Sequence, residues 1–571
     1  MRTPTVLSVH RRSRAAPPYA EALLVAERTD DPRLQIRLGG TFFAPRGATS
    51  PDDLPPSKGL PLSVADLEIP QPTVAGDLAI VTSEQDVAAA SEADAVFLAN
   101  GPEFLRDPRA FVSTVCNVRD ALGPMKPVAA TGLAAPENLA VLVYAGIDLV
   151  DSSRVVLDGA RGLFHTSDGV TTASEAARAA CACPACEAGE DILAHNERAL
   201  YREILLVRNH LANGRLRDLA EKRLANDPWN TAVLRHLDLR QLDLVEQYSP
   251  VAGGELLAYS HQSITRPEVL RFRKRVVERF AKPPSARVLL LLPCSARKPY
   301  SASRSHRRFR EAIQASANPS VVHEVVVTSP LGLIPRELER FYPARTYDIP
   351  VTGDWNRDET AMVVEDLRAF VEANRYERVI AHVGAEAAAV REAIPDAVFP
   401  STARPTSDDA LAALAASLST VTEGLDRAPG SGRFAEEMTN VARFQFGDAG
   451  RVLVEGATFK GRFPNVRFFK EGVQVAMYTE RGLLSLTLDG GRLLSTADAY
   501  WVEIEDFLPK GNVFAVGVTA AAREVRVGDD VVVRCGRDVR AVGTARMAWR
   551  EMTDAKRGEA VHIRHATAPK P

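Results

Sequence analysis

The sequence predicts a multidomain fold, mixed α/β through most of its length and β-rich at its end. Three observations lead there. The chain has 571 residues, enough for several domains. Strand-sized apolar runs alternate with helical stretches rich in Ala and Glu as far as about Leu425. Beyond Phe434 the texture changes to short alternating segments broken by glycine.

Residues 1–245 form the first expected domain. Apolar runs end at Ser83, Asn100, Gly132 and Ser153, with helical segments between them. That alternation predicts a parallel sheet, open or closed as a barrel. After Cys186, Leu200, Ile204, Val207 and Leu211 recur at helical spacing and predict one long amphipathic helix. Residues 246–430 form a second α/β unit, read as a sandwich. Its strands are RVLLLLP (287–293), HEVVVTSP (323–330) and RVIAHVG (378–384). The stretch from Arg427 to Gly432 reads as a hinge. Residues 431–496 are expected to be a small, β-rich α+β connecting domain. Residues 497–571 read as a small β-barrel, from runs such as EVRVGDDVVVRC and EAVHIRH.

Composition excludes some classes. Apolar residues at 46% and charged residues at 25% argue against extensive disorder. A net charge of −3 excludes a polycation that coats nucleic acid, though not a local basic patch. Met1 to Arg14 lacks the apolar segment of a secretion signal, and no apolar run approaches a bilayer span. The expectation is a cytoplasmic protein without a membrane partner.

Six cysteines are too few for a disulfide scaffold, but three of them cluster. Cys181, Cys183 and Cys186 are followed by His195. Three thiolates and an imidazole complete a closed tetrahedral site, so the expected cofactor is a structural zinc ion.

The segment Pro293–His306, PCSARKPYSASRSH, carries the expected chemistry. It follows an apolar strand, and ligand sites in α/β sheets lie at carboxyl strand ends. Cys294 would be a nucleophile whose thiolate Lys298 favours. His306 and Tyr300 would pass protons, and Ser303 would orient substrate. Asp354 and Trp355 are weaker candidates for holding an ammonium group. Six Lys/Arg and no acid lie between Arg297 and Arg310. Seven Lys/Arg and two acids lie between Arg266 and Lys282, so a polyanion is expected to dock locally.

Two resemblances sharpen this reading. The CxCxxC run with His195-Asn196 at a helix start resembles the zinc site of tRNA-guanine transglycosylases. GIDLVDSS (146–153) resembles the segment holding that family's nucleophilic aspartate, here Asp151. The family's Asp-Ser-Gly-Gly-Phe-Gln-like element is absent from residues 1–150. Base exchange needs a nucleophile and a separate acid/base, so Asp151 reads as a relic or a strand-end cap.

The pattern PC-x3-KPY-x2-S-x2-H in turn resembles the core motif of the archaeosine synthase alpha-subunit family. That resemblance implies a degenerate transglycosylase-like (β/α) barrel domain, a catalytic central domain, a connecting domain and a terminal PUA domain. It implies a tRNA substrate carrying 7-cyano-7-deazaguanine at nucleotide 15 of the D-loop. An amine would add to the nitrile to give an amidine. Lysine is the implied donor, with glutamine and ammonia left open. A radical-SAM partner would then cleave the adduct. Within the PUA-like region the implied RNA contacts are Gly517, Arg564 and His565. The alternatives are an active transglycosylase or a non-catalytic tRNA scaffold for that partner. The residues leave a homo-oligomer open.

Overall fold

A computed structural model describes residues 101–568 apart from 127, 131, 351 and 352. It also describes residues 6–8, 62–64, 67–69, 78–81, 87 and 95–98. The chain divides into two compact units, residues 1–248 with 554–557 and residues 249–553 with 558–571. No helix among the described residues is long and apolar enough to cross a membrane.

The first unit holds a five-stranded sheet. Strands Leu78–Val81, Ala95–Leu98, Val128–Ala130 and Leu149–Asp151 run parallel, and Val6–Ser8 pairs antiparallel to the last. Each parallel strand falls where an apolar run predicts one. The long helix is Ile192–Ala212, and Leu200, Ile204, Val207 and Leu211 are all buried along it. Asp191 caps its start, accepting the Ala194 N–H at 2.8 Å.

At the centre of the second unit is a four-stranded sheet. Strand Val288–Pro293 lies between parallel neighbours Val322–Thr328 and Arg378–Ala381, and Gly332–Pro335 closes one edge antiparallel. The run VLLLL is continuous because both faces are buried. Leu289 and Leu291 point into one apolar cluster with Phe272, Val363 and Phe370. Val288, Leu290 and Leu292 point into the other, with Phe309, Ile313, Leu414 and Leu418. Helices therefore cover both sides, as the sandwich reading expects.

Of the predicted hinge, Arg427 to Pro429 is irregular, but its second half is the start of a helix, Gly430–Phe446. Gly430, Ser431 and Gly432 are exposed in its first turn. Met438, Val441, Ala442 and Phe444 are buried in the same cluster as Leu291. That burial outweighs the helix penalty of a glycine, about 1 kcal/mol each. The run RVLV at 451–454, inside the stretch expected to be β-rich, is likewise a helical turn with Leu453 and Val454 buried. A four-stranded antiparallel sheet follows over residues 458–486. The Gln445 amide pairs with both the N–H and the C=O of Leu484, as a neighbouring strand would. The last sheet has six strands, between Trp501 and Ala566. The sequence-expected boundaries at 430/431 and 496/497 both fall inside the second unit.

One turn depends on glycine. Gly482 has φ +75°, and a Cβ there would fall on the Arg340 carbonyl. Gly482→Ala is expected to destabilise the second unit by about 2 kcal/mol or more, read as a lower urea midpoint.

Candidate active site

Three parallel strands end on one side of the central sheet, and their carboxyl ends supply the site. Cys294 follows the first, Thr328 and Ser329 end the second, and Gly384 to Glu386 follow the third. Side chains from 258–264 and 349–359 complete a cavity of about 250 Å³. Cys294, Thr328, Ser329, Glu359 and Glu386 line it, as do Asp354 and Trp355.

Cys294 is half-buried. Its thiol lies above the ordinary cysteine range: burial and the Glu386 carboxylate push it up and outweigh the Thr328 hydroxyl and Lys298, which pull it down. Lys298 stacks its ammonium over the Tyr347 ring at 4.1 Å. Its basicity is lowered by burial, against the opposing pull of Cys294 and Asp348. Tyr300 is fully buried, and its hydroxyl meets that of Tyr347. Tyr347 reaches the Thr328 hydroxyl at 2.7 Å. Tyr300, Tyr347 and Thr328 thus form a buried hydroxyl cluster beside Cys294.

The other two motif residues have structural duties. Ser303 caps helix Arg304–Gln314, accepting the His306 N–H at 3.2 Å. His306 is 1% exposed and lines no cavity wall. One ring nitrogen donates to the Pro293 carbonyl at 3.0 Å, and the other accepts from Arg336 at 2.8 Å. Burial and Arg336 push its pKa down to about 3. A neutral ring with both nitrogens engaged does not carry protons at neutral pH. The expected proton role of His306 is corrected to a positional one: it holds the peptide that presents Cys294. Arg336 is fixed in turn by Glu324 at 2.6 Å and Glu339 at 2.8 Å.

Sequence reasoning reached Cys294, Asp354 and Trp355 but missed Thr328, Ser329, Glu359 and Glu386. The signal was available. The strand-end rule applied to the first strand applies equally to HEVVVTSP and RVIAHVG. Glu359 also belongs to a capping box, exchanging hydrogen bonds with Asn356, and accepts from Ser329 at 2.6 Å.

In the first unit, Cys181, Cys183, Cys186 and His195 converge, with ligand atoms within 4.8 Å of one another. The His195 Nδ1 lies 3.4–3.6 Å from the three sulfurs. Its Nε2 donates to the His165 carbonyl at 2.8 Å, and its ring stacks on Phe164. That outer bond fixes which nitrogen faces the thiolates. The group can hold a metal ion, and its donor set fits zinc. Asp151 ends a strand, but its side chain lies outside the described residues.

Known proteins resemble this chain over most of its length. It is 38% identical to the archaeosine synthase of Haloferax volcanii, over 85% of this chain and 84% of that protein. It is 35% identical to the archaeosine synthase subunit alpha of Methanosarcina acetivorans, over 80% and 77%. The chain belongs to the archaeosine synthase family. A third relative, the archaeosine synthase subunit alpha of Thermoplasma acidophilum, is 30% identical over 82% of this chain and 87% of that protein. Three domain families also match. Residues 74–228 match the family described as Queuine tRNA-ribosyltransferase and residues 502–567 the PUA domain. Residues 269–418, which carry Cys294 and Glu386, match the Domain of unknown function (DUF5591). The expected transglycosylase-like domain, mixed α/β centre and terminal PUA domain of an archaeosine synthase are thus present.

The PUA-region candidates are placed unequally. Gly517 lies in a tight turn against the Phe507 ring, where a Cβ would come within 3.1 Å. His565 is exposed. Arg564 is partly exposed, and its guanidinium donates inward to Asp530 at 2.8 Å and to the Leu486 carbonyl at 3.1 Å. In this archaeosine synthase family member it holds one sheet to the next, because a buried carboxylate retains its cation.

Two outcomes are expected. The purified protein carries roughly one metal ion per chain by elemental analysis, and Cys183→Ser loses it and lowers the melting temperature. Arg336→Met leaves Glu324 and Glu339 buried without their cation and destabilises the fold by about 3–5 kcal/mol in chemical denaturation.

Proposed function

We propose that this chain modifies tRNA in archaeosine biosynthesis, adding an amine to the nitrile of 7-cyano-7-deazaguanine. The single observation that carries the reading is the placement of Cys294. A thiol at the end of the central strand opens into a cavity beside an ammonium group. A nitrile carbon is electrophilic, and a thiolate adds to it to give a thioimide. Attack by an amine then expels the sulfur and leaves an amidine.

The roles follow from position. Cys294 is the nucleophile. Lys298 favours its thiolate through a charge that burial leaves weakly screened. Asp354 and Trp355 at the cavity wall suit an ammonium-bearing donor, in keeping with lysine. The PUA domain and the family's tRNA-modifying relatives support tRNA as the partner. PUA modules hold RNA through shape and phosphates. His565 and the Gly517 turn are the proposed contacts. A zinc ion at the Cys₃His group would tie the loop 181–186 to the start of helix Ile192–Ala212. A radical-SAM protein acting on the lysine adduct is the proposed downstream partner.

The test is a nucleoside mass spectrum of 7-cyano-7-deazaguanine tRNA incubated with the protein and free lysine. A gain of one lysine is expected, and Cys294→Ala should reduce its rate by about 10³-fold or more. Tight tRNA binding with no gain from lysine, glutamine or ammonia would instead identify a scaffold.

A further inference from the structure

The chemistry at Cys294 moves protons, and the motif supplies no side chain to carry them. His306 is locked, Tyr300 is fully buried outside the cavity lining with its hydroxyl bonded to Tyr347, and Ser303 caps a helix. One acid in the cavity has no such duty. Glu386 lines the wall with Cys294 and is only 8% exposed. Among the described residues no Lys, Arg or His forms an ion pair with it. Its carboxylate is aimed by backbone alone. It accepts the Gly384 N–H at 3.0 Å, and the N–H groups of Glu386 and Cys294 also favour its charged form. Backbone amides hold this carboxylate on the cavity wall that it shares with the thiol.

We infer that Glu386 is the catalytic acid/base that serves Cys294, an inference that rests on the proposed amidine chemistry. In the first step the Cys294 sulfur bonds to the nitrile carbon. The thiol proton passes to Glu386 and then to the nitrile nitrogen, so the triple bond becomes C=N–H. In the second step a primary amine adds to that carbon. Glu386 takes one amine proton and returns one to sulfur as the C–S bond breaks. The products are an amidine and the free thiol, with no oxidant or reductant required.

Burial raises the Glu386 pKa above that of an ordinary glutamate, and the backbone N–H groups of Glu386, Gly384 and Cys294 oppose this. A base closer to neutrality exchanges protons more readily with both thiol and imine. The other titratable groups on the cavity are placed differently. Glu359 is bonded to Ser329 and Asn356, and His261 pairs with Asp358 at 3.1 Å. Asp354 is exposed, and Lys298 acts on the thiol from beyond the cavity wall.

The experiment compares wild type, Glu386→Gln, Glu386→Asp and Cys294→Ala, each as the full chain. Glu386→Gln keeps an acceptor oxygen for the backbone amides but cannot titrate. Single-turnover amidine formation should fall about 10²–10⁴-fold in Glu386→Gln. The acid limb of its pH profile should disappear, and Glu386→Asp should restore part of the rate. The Kd for the tRNA should not change. A second readout does not need the reaction: alkylation of Cys294 by iodoacetamide against pH, followed by peptide mass spectrometry. Removing the Glu386 charge lets the thiol ionise more readily, so the midpoint in Glu386→Gln should move to lower pH. Wild-type turnover and an unchanged profile in Glu386→Gln would overturn the inference while leaving the amidine reading intact. If no amidine forms with wild type, that reading fails. An unshifted alkylation midpoint would then overturn the Glu386 pairing on its own.

Discussion

The strand Val288–Pro293 is buried on both faces, and the second unit is organised around it. Its alternating side chains enter two separate apolar clusters, so it cannot shift by one residue without exchanging both sets. Its backbone is paired on both edges as well. That double constraint fixes where the chain emerges, and the emerging residue is Cys294. A thiol on a freely moving loop would not meet two neighbouring strand ends. Here it meets Thr328 from one and Glu386 from the other.

The motif downstream of the strand secures this arrangement more than it performs chemistry. His306 reaches back across the helix start to the carbonyl of Pro293, and Arg336 fastens it from the far side. Glu324 and Glu339 then hold Arg336 in a largely buried site. The energetic logic is that of a buried ion network, in which each group is costly alone and stable only in company. A pattern that fixes Pro, Cys, Lys, Tyr, Ser and His so closely in sequence is therefore partly a description of packing around one peptide bond.

Much of this was legible from residues alone. Apolar runs marked the parallel strands of the five-stranded sheet and of the central sheet, because a strand covered on both faces has no room for polar side chains. The Cys₃His group was legible because its ligands sit close in sequence. Glu386 was not, since only the sheet brings it back to Cys294 across ninety-odd intervening positions. The role of His306 was misjudged because an imidazole reads as a proton carrier until its partners are seen. The Gly-Ser-Gly stretch at 430–432 misled for a related reason. Local glycine content predicts a break, but the apolar residues that follow bury a helix against the central core. Arg564 looked like a hand held out to RNA, and the carboxylate that holds it lies on another strand.

That same arginine bears on how the molecule measures its substrate. Asp530 accepts from both the Leu486 N–H and Arg564, and Arg564 also reaches the Leu486 carbonyl. Val532 and Val542 of the terminal sheet share one apolar cluster with Leu291 of the central one. A terminal module tied in this way resists swivelling. On the proposed function, the span from the place where RNA is gripped to the place where it is modified is then a constant. The enzyme would select its nucleotide as a gauge block does, by a length built into the protein, with little need to read the bases between.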